Sequence, residues 1–404
     1  MRILLALAIA LLFSTRAQAL SVPAEMAVGP VPQISLLTFA PGEIYWQRFG
    51  HNAILVRDHA RGEARVYNYG IFDFQQKNFF LNFARGRMLY RLDEAPLDWT
   101  LRFYASEGRW AVEQQLALSE AQRLRVADFL AWNARPENAE YRYDYFIANC
   151  STKTRDALDL ALDGGLRVAL ERRPGTTTFR SEVLRLMAPV PPLMLGMDLG
   201  LGRRVDAPLN QWQEGFIPMR LMDAIRDLQV DDGSGARRPL VAAERQLLPA
   251  RLPDAPAQPV SLWLPCLLAG LGIAAALLAT SRVRVLGAAL AGFYVFVCGL
   301  AGLVLLLGWL ATEHWSMAAN LNLLLLHPLW WGVLPAVWRT RRGGAAPGRG
   351  VRLLAVLLAV LTLLAVAASA LDLQPNGHWV AFFAPVQLLL LGALLRAPGR
   401  GQVL

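Results

Sequence analysis

From about residue 260 onward the chain is written almost entirely in apolar residues, grouped in five stretches near 261–280, 285–310, 318–338, 351–371 and 378–396. Each is long enough to cross the ~30 Å hydrocarbon core of a bilayer as a helix. The pattern therefore predicts an all-α bundle of five transmembrane helices over residues 260–404. Upstream, the pattern is that of a soluble domain mixing strands and helices. Residues 51–57 and 65–71 are short, rich in β-branched and aromatic residues, and separated by a polar turn containing Gly62, which predicts an antiparallel pair. Residues 110–118 alternate through Trp110, Val112, Leu116 and Leu118 and predict a further strand. Ser119 with Gln122 forms a capping box for a helix running to about Ala131. A second helix opens at Asn149, carries Cys150, Thr154, Ala157 and Ala161 on one face, and stops at Gly164-Gly165. The expected divisions are a core over 20–165 and an extension over 166–259, made of short helices and loops followed by a Pro-rich linker from 236.

Arg2, the apolar run Ile3 to Phe13 and the small-x-small ending Ala17-Gln18-Ala19 predict a secretory signal peptide over 1–19. The run is short for an uncleaved anchor, which needs ~20 apolar residues. Arginine distribution gives the same orientation. Arg282 and Arg284 follow the first span, five arginines lie between Arg339 and Arg352 after the third, and Arg396 and Arg400 follow the fifth. The loops around Glu313-His314 and Asp372 to His378 carry neither Lys nor Arg. The positive-inside rule makes the arginine-bearing loops cytoplasmic and puts residues 20–250 on the outer face of the membrane. The net charge of +9 is thus topological and no sign of nucleic-acid binding.

The chain has three cysteines, of which Cys266 and Cys298 fall in spans. Cys150, alone in the exported domain, has no intrachain partner for a staple, so it is either a small buried residue or a reactive thiol. Its place in the first turn of a helix favours thiolate. Lys153, one of two lysines in the chain, lies one turn on and adds to the effect. A base is needed, and the exported domain offers only His51 and His59. His51, which follows Phe49-Gly50 at the head of a strand, is the candidate general base, with Asn68 as orienting group and Asp73 behind it. Taken alone, a lone Cys is as readily packing, and a His beside Gly a turn residue.

The segments Pro41-Gly42-Glu43, Phe49-Gly50-His51-Asn52-Ala53, Tyr67 to Phe74, Asn78-Phe79, Tyr143-Asp144-Tyr145-Phe146 and Asn149 to Lys153 resemble the N-terminal domain of the Lnb family of bacterial lipoprotein N-acyltransferases. Gly196 to Gly200, Asp206 and Phe216-Ile217-Pro218 fit the same pattern, as do Asn320-Leu321-Asn322 and His327-Pro328 in the apolar tail. The resemblance implies an α+β, circularly permuted papain-like fold related to NlpC/P60 domains, with the histidine strand before the cysteine helix. Asn68 departs from the histidine often found third in lipid-acyltransferase relatives. The implied chemistry is transfer of an acyl chain from membrane phospholipid to the N-terminal amine of diacylated lipoproteins through a Cys150 thioester, with neither cofactor nor metal. The backbone N–H of Cys150, with Asn52 or Tyr143 and the neighbouring Asn149, would hold the oxyanion or substrate. Asn320, Asn322 and His327, with Asn320 and His327 seven residues apart on one face of the third span, and His314 at its outer mouth, suggest a lateral groove for lipid or lipoprotein; interhelical hydrogen bonding is the alternative. An exported thiol hydrolase, whether wall peptidase or phospholipase, and a non-enzymatic membrane assembly factor remain as other readings. Nothing in the sequence defines an oligomeric state.

Overall fold

Strand β1 (Gln33–Phe39) is buried over nearly its whole length. Its run Gln-Ile-Ser-Leu-Leu-Thr-Phe lacks clean alternation because both faces of the sheet are covered where this interior strand runs. In the computed structural model, which describes residues 31–231 and 237–397, it lies in a seven-stranded sheet of order β6-β4-β3-β2-β1-β5-β9. The signal peptide expected over 1–19 falls outside the described residues. The other strands are β2 (His51–Asp58), β3 (Glu63–Ile71), β4 (Leu89–Pro96), β5 (Ala111–Leu116), β6 (Glu140–Arg142) and β9 (Val241–Leu248), every neighbouring pair antiparallel. Strands β7 (Gln229–Asp231) and β8 (Arg237–Pro239) form a separate pair. The two expected strands at 51–57 and 65–71 are β2 and β3, and the stretch 110–118 contains β5.

Helix α1 (Phe79–Arg85) follows β3, and α2 (Leu97–Ser106) follows β4. Beyond β5 come α3 (Glu120–Asn133), opened by the Ser119–Gln122 capping box, and α4 (Cys150–Ala161). Alternation along the strands sorts the core into two layers. Ile34, Leu36, Ile54 and Tyr67 pack with Val126 and Leu130 of α3 and Ala157 and Leu158 of α4. Leu37, Phe39, Ala53, Leu55 and Val66 form the other layer with Tyr104 of α2. Residues 236–259 are not all linker: β9 pairs with β5 and closes that edge of the sheet. Its pattern of mostly exposed residues, broken by bulges, is that of an edge strand and reads as loop in a sequence.

Among the described residues, four helices are long and apolar enough to cross a membrane: 263–282, 284–310, 349–370 and 377–396. The α-helical parts are labelled α7 (Trp263–Ala279), α8 (Arg284–Leu310), α10 (Arg349–Ala370) and α11 (Gly377–Arg396), while α5 (Phe179–Met187), α6 (Pro191–Gly200) and α9 (Trp330–Arg341) complete the set used below. The third expected span, 318–338, is not a continuous helix. It consists of a 3-10 turn at Leu321–Leu324, an irregular stretch and the 12-residue α9, which contains Pro335. A 12-residue helix rises only about 18 Å. Asn320 and His327 therefore do not share a helix face: Asn320 caps the 3-10 turn, and His327 lies in the stretch beyond it. Irregular backbone survives at such depth only when protein covers it, and Asn322, Leu325 and Leu326 are all fully buried.

The membrane bundle is locked to the soluble domain by a buried ionic latch. Asp198, at the end of α6, accepts from Arg180 of α5 (2.8 Å), His378 of α11 (2.6 Å) and Trp379 (2.7 Å), while Arg180 also pairs with Asp206. Both Arg180 and Asp198 are 1% exposed. Removing one partner of such a pair leaves a buried charge without compensation. Arg180→Met is expected to lower the unfolding free energy in detergent by about 3–5 kcal/mol; Asp198→Asn, which keeps the Arg180–Asp206 pair and an acceptor for Trp379, is expected to cost distinctly less. Thermal melts of the two variants against wild type check the order.

Candidate active site

The ladder between β2 and β3 stops at the pair Ile54–Tyr67. Beyond it β3 bulges at Tyr69/Ile71 while pairing with β4, and β2 runs on to His51 without a β3 partner. This leaves a notch at one end of the sheet, and the N-terminus of α4 fits into it. Gly70 has φ +94°, and a Cβ on it would sit 3.4 Å from Cys150 Cβ. On the other wall of the notch the backbone amide of Asn52, like those of Ser151 and Cys150 itself, is near enough to the sulfur to favour its charged form.

Local chemistry seats α4 in this place. Asn149 is its N-cap: Oδ1 accepts from Thr152 N (2.9 Å), and the Thr152 hydroxyl accepts from Asn149 N (2.8 Å). Asn149 Nδ2 donates to the carbonyls of Tyr145 and Phe216. One residue after the thiol, Ser151 Oγ lies 2.7 Å from Asn52 Oδ1 and 2.6 Å from the Gly215 carbonyl, so its single proton serves one of them at a time. Asn52 Nδ2 in turn donates to Leu37 O and Thr38 Oγ1 on β1. The side chains of Asn52 and Asn149, expected to hold oxyanion or substrate, are thus occupied in supporting the fold; what Asn52 offers the site is its main-chain N–H.

His51 is held at the head of β2 by the left-handed turn at Gly50, φ +79°, where a Cβ would meet Met219 and the Phe39 carbonyl. Its ring lies beside Phe39 and Tyr104, with centroids 6.1 and 6.3 Å away. His51 Nε2 is 3.2 Å from Asn68 Oδ1, and Asn68 Nδ2 donates to Val66 O, which turns the amide oxygen toward the ring. Nε2 therefore carries the proton, and Nδ1 is the basic nitrogen. Cys150, His51 and Asn68 are all partly exposed, so the group is open to a ligand.

The electrostatics differ from those expected for a helix-end thiolate. Burial pushes the Cys150 thiol up, and the three amides and the Arg109 guanidinium only partly offset it. Burial first, then Arg109, holds the His51 imidazole down at about 4, against the hydrogen bond it donates to Asn68. At neutral pH the resting groups are therefore a thiol and a neutral imidazole. Lys153 contributes little to the sulfur: its ammonium lies over the rings of Tyr141 (5.3 Å) and Tyr69 (6.0 Å). Arg109, which sequence reading missed, is the cation that acts on both groups. It is 3% exposed and held by Ala40 O and Glu107. No motif marks it, because its partners come from three chain segments.

Tyr143 and Tyr141 both feel the charge of the Cys150 sulfur, and burial holds both phenols protonated. The buried Tyr141 hydroxyl faces the Gly70 backbone without closing a well-formed hydrogen bond; sequence reading passed over it. Tyr143 stacks on Tyr90 with centroids 4.0 Å apart. The membrane-proximal candidates are dispersed. His314 donates from Nε2 to Phe83 O (2.9 Å) and stacks on Tyr145. Asn320 Nδ2 donates to the Leu199 and Gly200 carbonyls, and Asn322 Oδ1 accepts from Asn376. Both are engaged in joining α6 to the bundle. His327 packs against Gly302 of α8, with Nδ1 accepting from Leu329 N. The membrane loop instead grips the segment leading into Cys150: Trp315 donates to Asp144 (2.8 Å), and Glu313 pairs with Arg142 and Arg87.

Sheet, notch and membrane bundle together define a bilayer-embedded protein that presents a thiol and an imidazole from an external domain. Residues 31–185 match the Lnb N-terminal periplasmic domain, and residues 255–395 match the Lnb transmembrane domain. The chain therefore belongs to the Lnb family, with its N-terminal domain in the periplasm and its C-terminal helices in the membrane. No curated protein matched the sequence, and no solved structure matched the fold.

Two outcomes follow from the notch. In a Cys266→Ala, Cys298→Ala background, the rate of Cys150 alkylation by iodoacetamide should rise only as pH passes above the ordinary thiol range, with no plateau between pH 4 and 7. A plateau there would mean a resting ion pair. Gly70→Ala puts an L side chain at positive φ, at a cost of roughly 1–2 kcal/mol, and presses its methyl on Cys150. Slower alkylation and a lowered melting temperature, read together on one preparation, check it.

Proposed function

We propose that the protein is a lipoprotein N-acyltransferase that carries its acyl group on Cys150. In this reading residues 20–165 are a catalytic core of permuted papain-like type, and residues 166–259 are an extension that fastens it to the membrane domain. The observation that carries the proposal is the notch itself: a thiol faced by main-chain amides, beside a His51–Asn68 pair, in a domain whose thiol-bearing segment is gripped by a membrane loop.

His51 Nδ1 takes the thiol proton as Sγ attacks the ester carbonyl carbon of a membrane phospholipid. The negative charge that develops on the carbonyl oxygen is met by the amides of Cys150 and Asn52 and by a tyrosine hydroxyl from Tyr141 or Tyr143. Collapse breaks the bond to the glycerol oxygen, which leaves with the proton from His51 as lysophospholipid. Cys150 is now a thioester. The α-amine of a diacylglyceryl-cysteine attacks it, forms the amide, passes its proton to His51 and returns Cys150 to the thiol. A thioester suits this sequence because it resists water better than it resists amines. A low imidazole pKa keeps His51 in its accepting form throughout the neutral range.

Intact-mass analysis of a diacylated model lipoprotein, incubated with phospholipid vesicles and full-length protein, tests the proposal. Wild type is expected to add one acyl chain, Cys150→Ser none, and His51→Ala about 10²–10⁴-fold less per unit time. Lysophospholipid released without acylated product would make the protein a phospholipase, and no lipid change at all would favour a wall peptidase or a non-enzymatic assembly factor.

A further inference from the structure

Helix α1 is the least water-compatible element of the periplasmic domain. Its sequence is Phe-Phe-Leu-Asn-Phe-Ala-Arg, and none of its residues is buried. Phe80 is 75% exposed, and Leu81, Phe83, Phe74 and Trp46 beside it are all more than 40% exposed. The cluster is contiguous: ring centroids run Trp46–Phe74 6.2 Å, Phe74–Phe79 5.1 Å and Phe79–Phe80 5.4 Å. A surface helix normally turns one apolar stripe inward and a polar face to water; this one is apolar on nearly every side. Contiguous exposed apolar surface of this kind marks a contact with lipid or protein.

Its position selects lipid. The C-terminus of α1 is tied to the loop that follows α8, with Glu313 N donating to Arg85 O (2.9 Å) and His314 donating to Phe83 O. That loop begins where α8 leaves the membrane, so α1 lies at the level of the periplasmic interface, where aromatic side chains concentrate. Exposed Lys77 and Arg85 flank it, as phosphate headgroups would require. The rings also continue inward. Phe72 touches Phe79 and Tyr90 at 6.2 and 5.1 Å, and Tyr90 stacks on Tyr143, next to the thiol.

We propose that α1, with Trp46 and Phe74, is a membrane-dipping element seated in the periplasmic leaflet, and that Phe72, Tyr90 and Tyr143 wall the route by which a phospholipid ester rises from it to Cys150. The first half stands on surface and position alone; the second rests on the acyl-transfer reading. The test uses full-length protein carrying Cys150→Ser, with p-benzoylphenylalanine at position 80, in vesicles of phosphatidylethanolamine and phosphatidylglycerol. The control position is Arg61, in the turn at the far end of β2. At least tenfold more lipid photoadduct at position 80 than at 61 is expected. Equal yields, or adducts to a second copy of the chain in place of lipid, would overturn the seating. Because this protein is inactive by design, the answer does not depend on what reaction the wild type performs. The route is read separately: with Cys150 intact, Phe80→Ser/Leu81→Ser should cut acyl transfer from vesicles at least tenfold while leaving iodoacetamide labelling of Cys150 unchanged. Undiminished transfer would overturn the route. Absence of transfer by wild type would instead sink the acyl-transfer reading and the route with it, and leave the photoadduct to decide the seating.

Discussion

The buried amide of Asn52 is the constraint on which the site depends. It is fully enclosed and ties the central strand β1 through Leu37 and Thr38 to the first turn of α4 through Ser151. Leaving such a group unpaired costs about 1–3 kcal/mol, so strand and helix have one mutual position that satisfies it. That position brings the main-chain N–H of the same residue near the thiol and puts His51, one residue earlier, at the lip of the notch. Support and chemistry are divided within a single residue: side chain for the frame, backbone for the sulfur.

The membrane bundle is part of the same construction. Contacts from residues 313–315 reach Arg87, Arg142, Asp144 and Tyr145, all next to the site. Asp198 and Arg180 anchor α5 and α6 to α11. The two attachments meet where Trp315 packs on Phe179, next to Arg180, and together they remove the freedom to swivel that a single tether would leave. The thiol is thereby held in one position relative to the membrane helices, which suits the acyl transfer proposed above.

Much of this was legible in the sequence because it depends on local chemistry. The Asn149 cap, the Ser119 capping box, and the strands at His51 and Glu63 each announce themselves within a few residues. Cys150 stood out because it had no partner. What escaped was set by distant contacts. Strand β1 has no alternation because it is buried on both faces, and β9 looks like linker because only its pairing with β5 makes it a strand. Arg109 acts through space on two groups from other segments. Hydropathy showed that 318–338 belongs in the membrane, but not that Asn320 and Asn322 would be drawn out of helical register to satisfy α6 and Asn376. The expected thiolate failed for a similar reason: the helix end is present as foreseen, yet burial of the sulfur outweighs it.

The neutral state of Cys150 has a bearing on how long the protein lasts in its compartment. The periplasm is oxidising, and both disulfide exchange and oxidation to sulfenic acid proceed through the thiolate. A lone cysteine that idled as an anion at the mouth of an open notch would be consumed between turnovers. By keeping the proton on sulfur, burial slows both reactions and makes the thiol chemically quiet at rest.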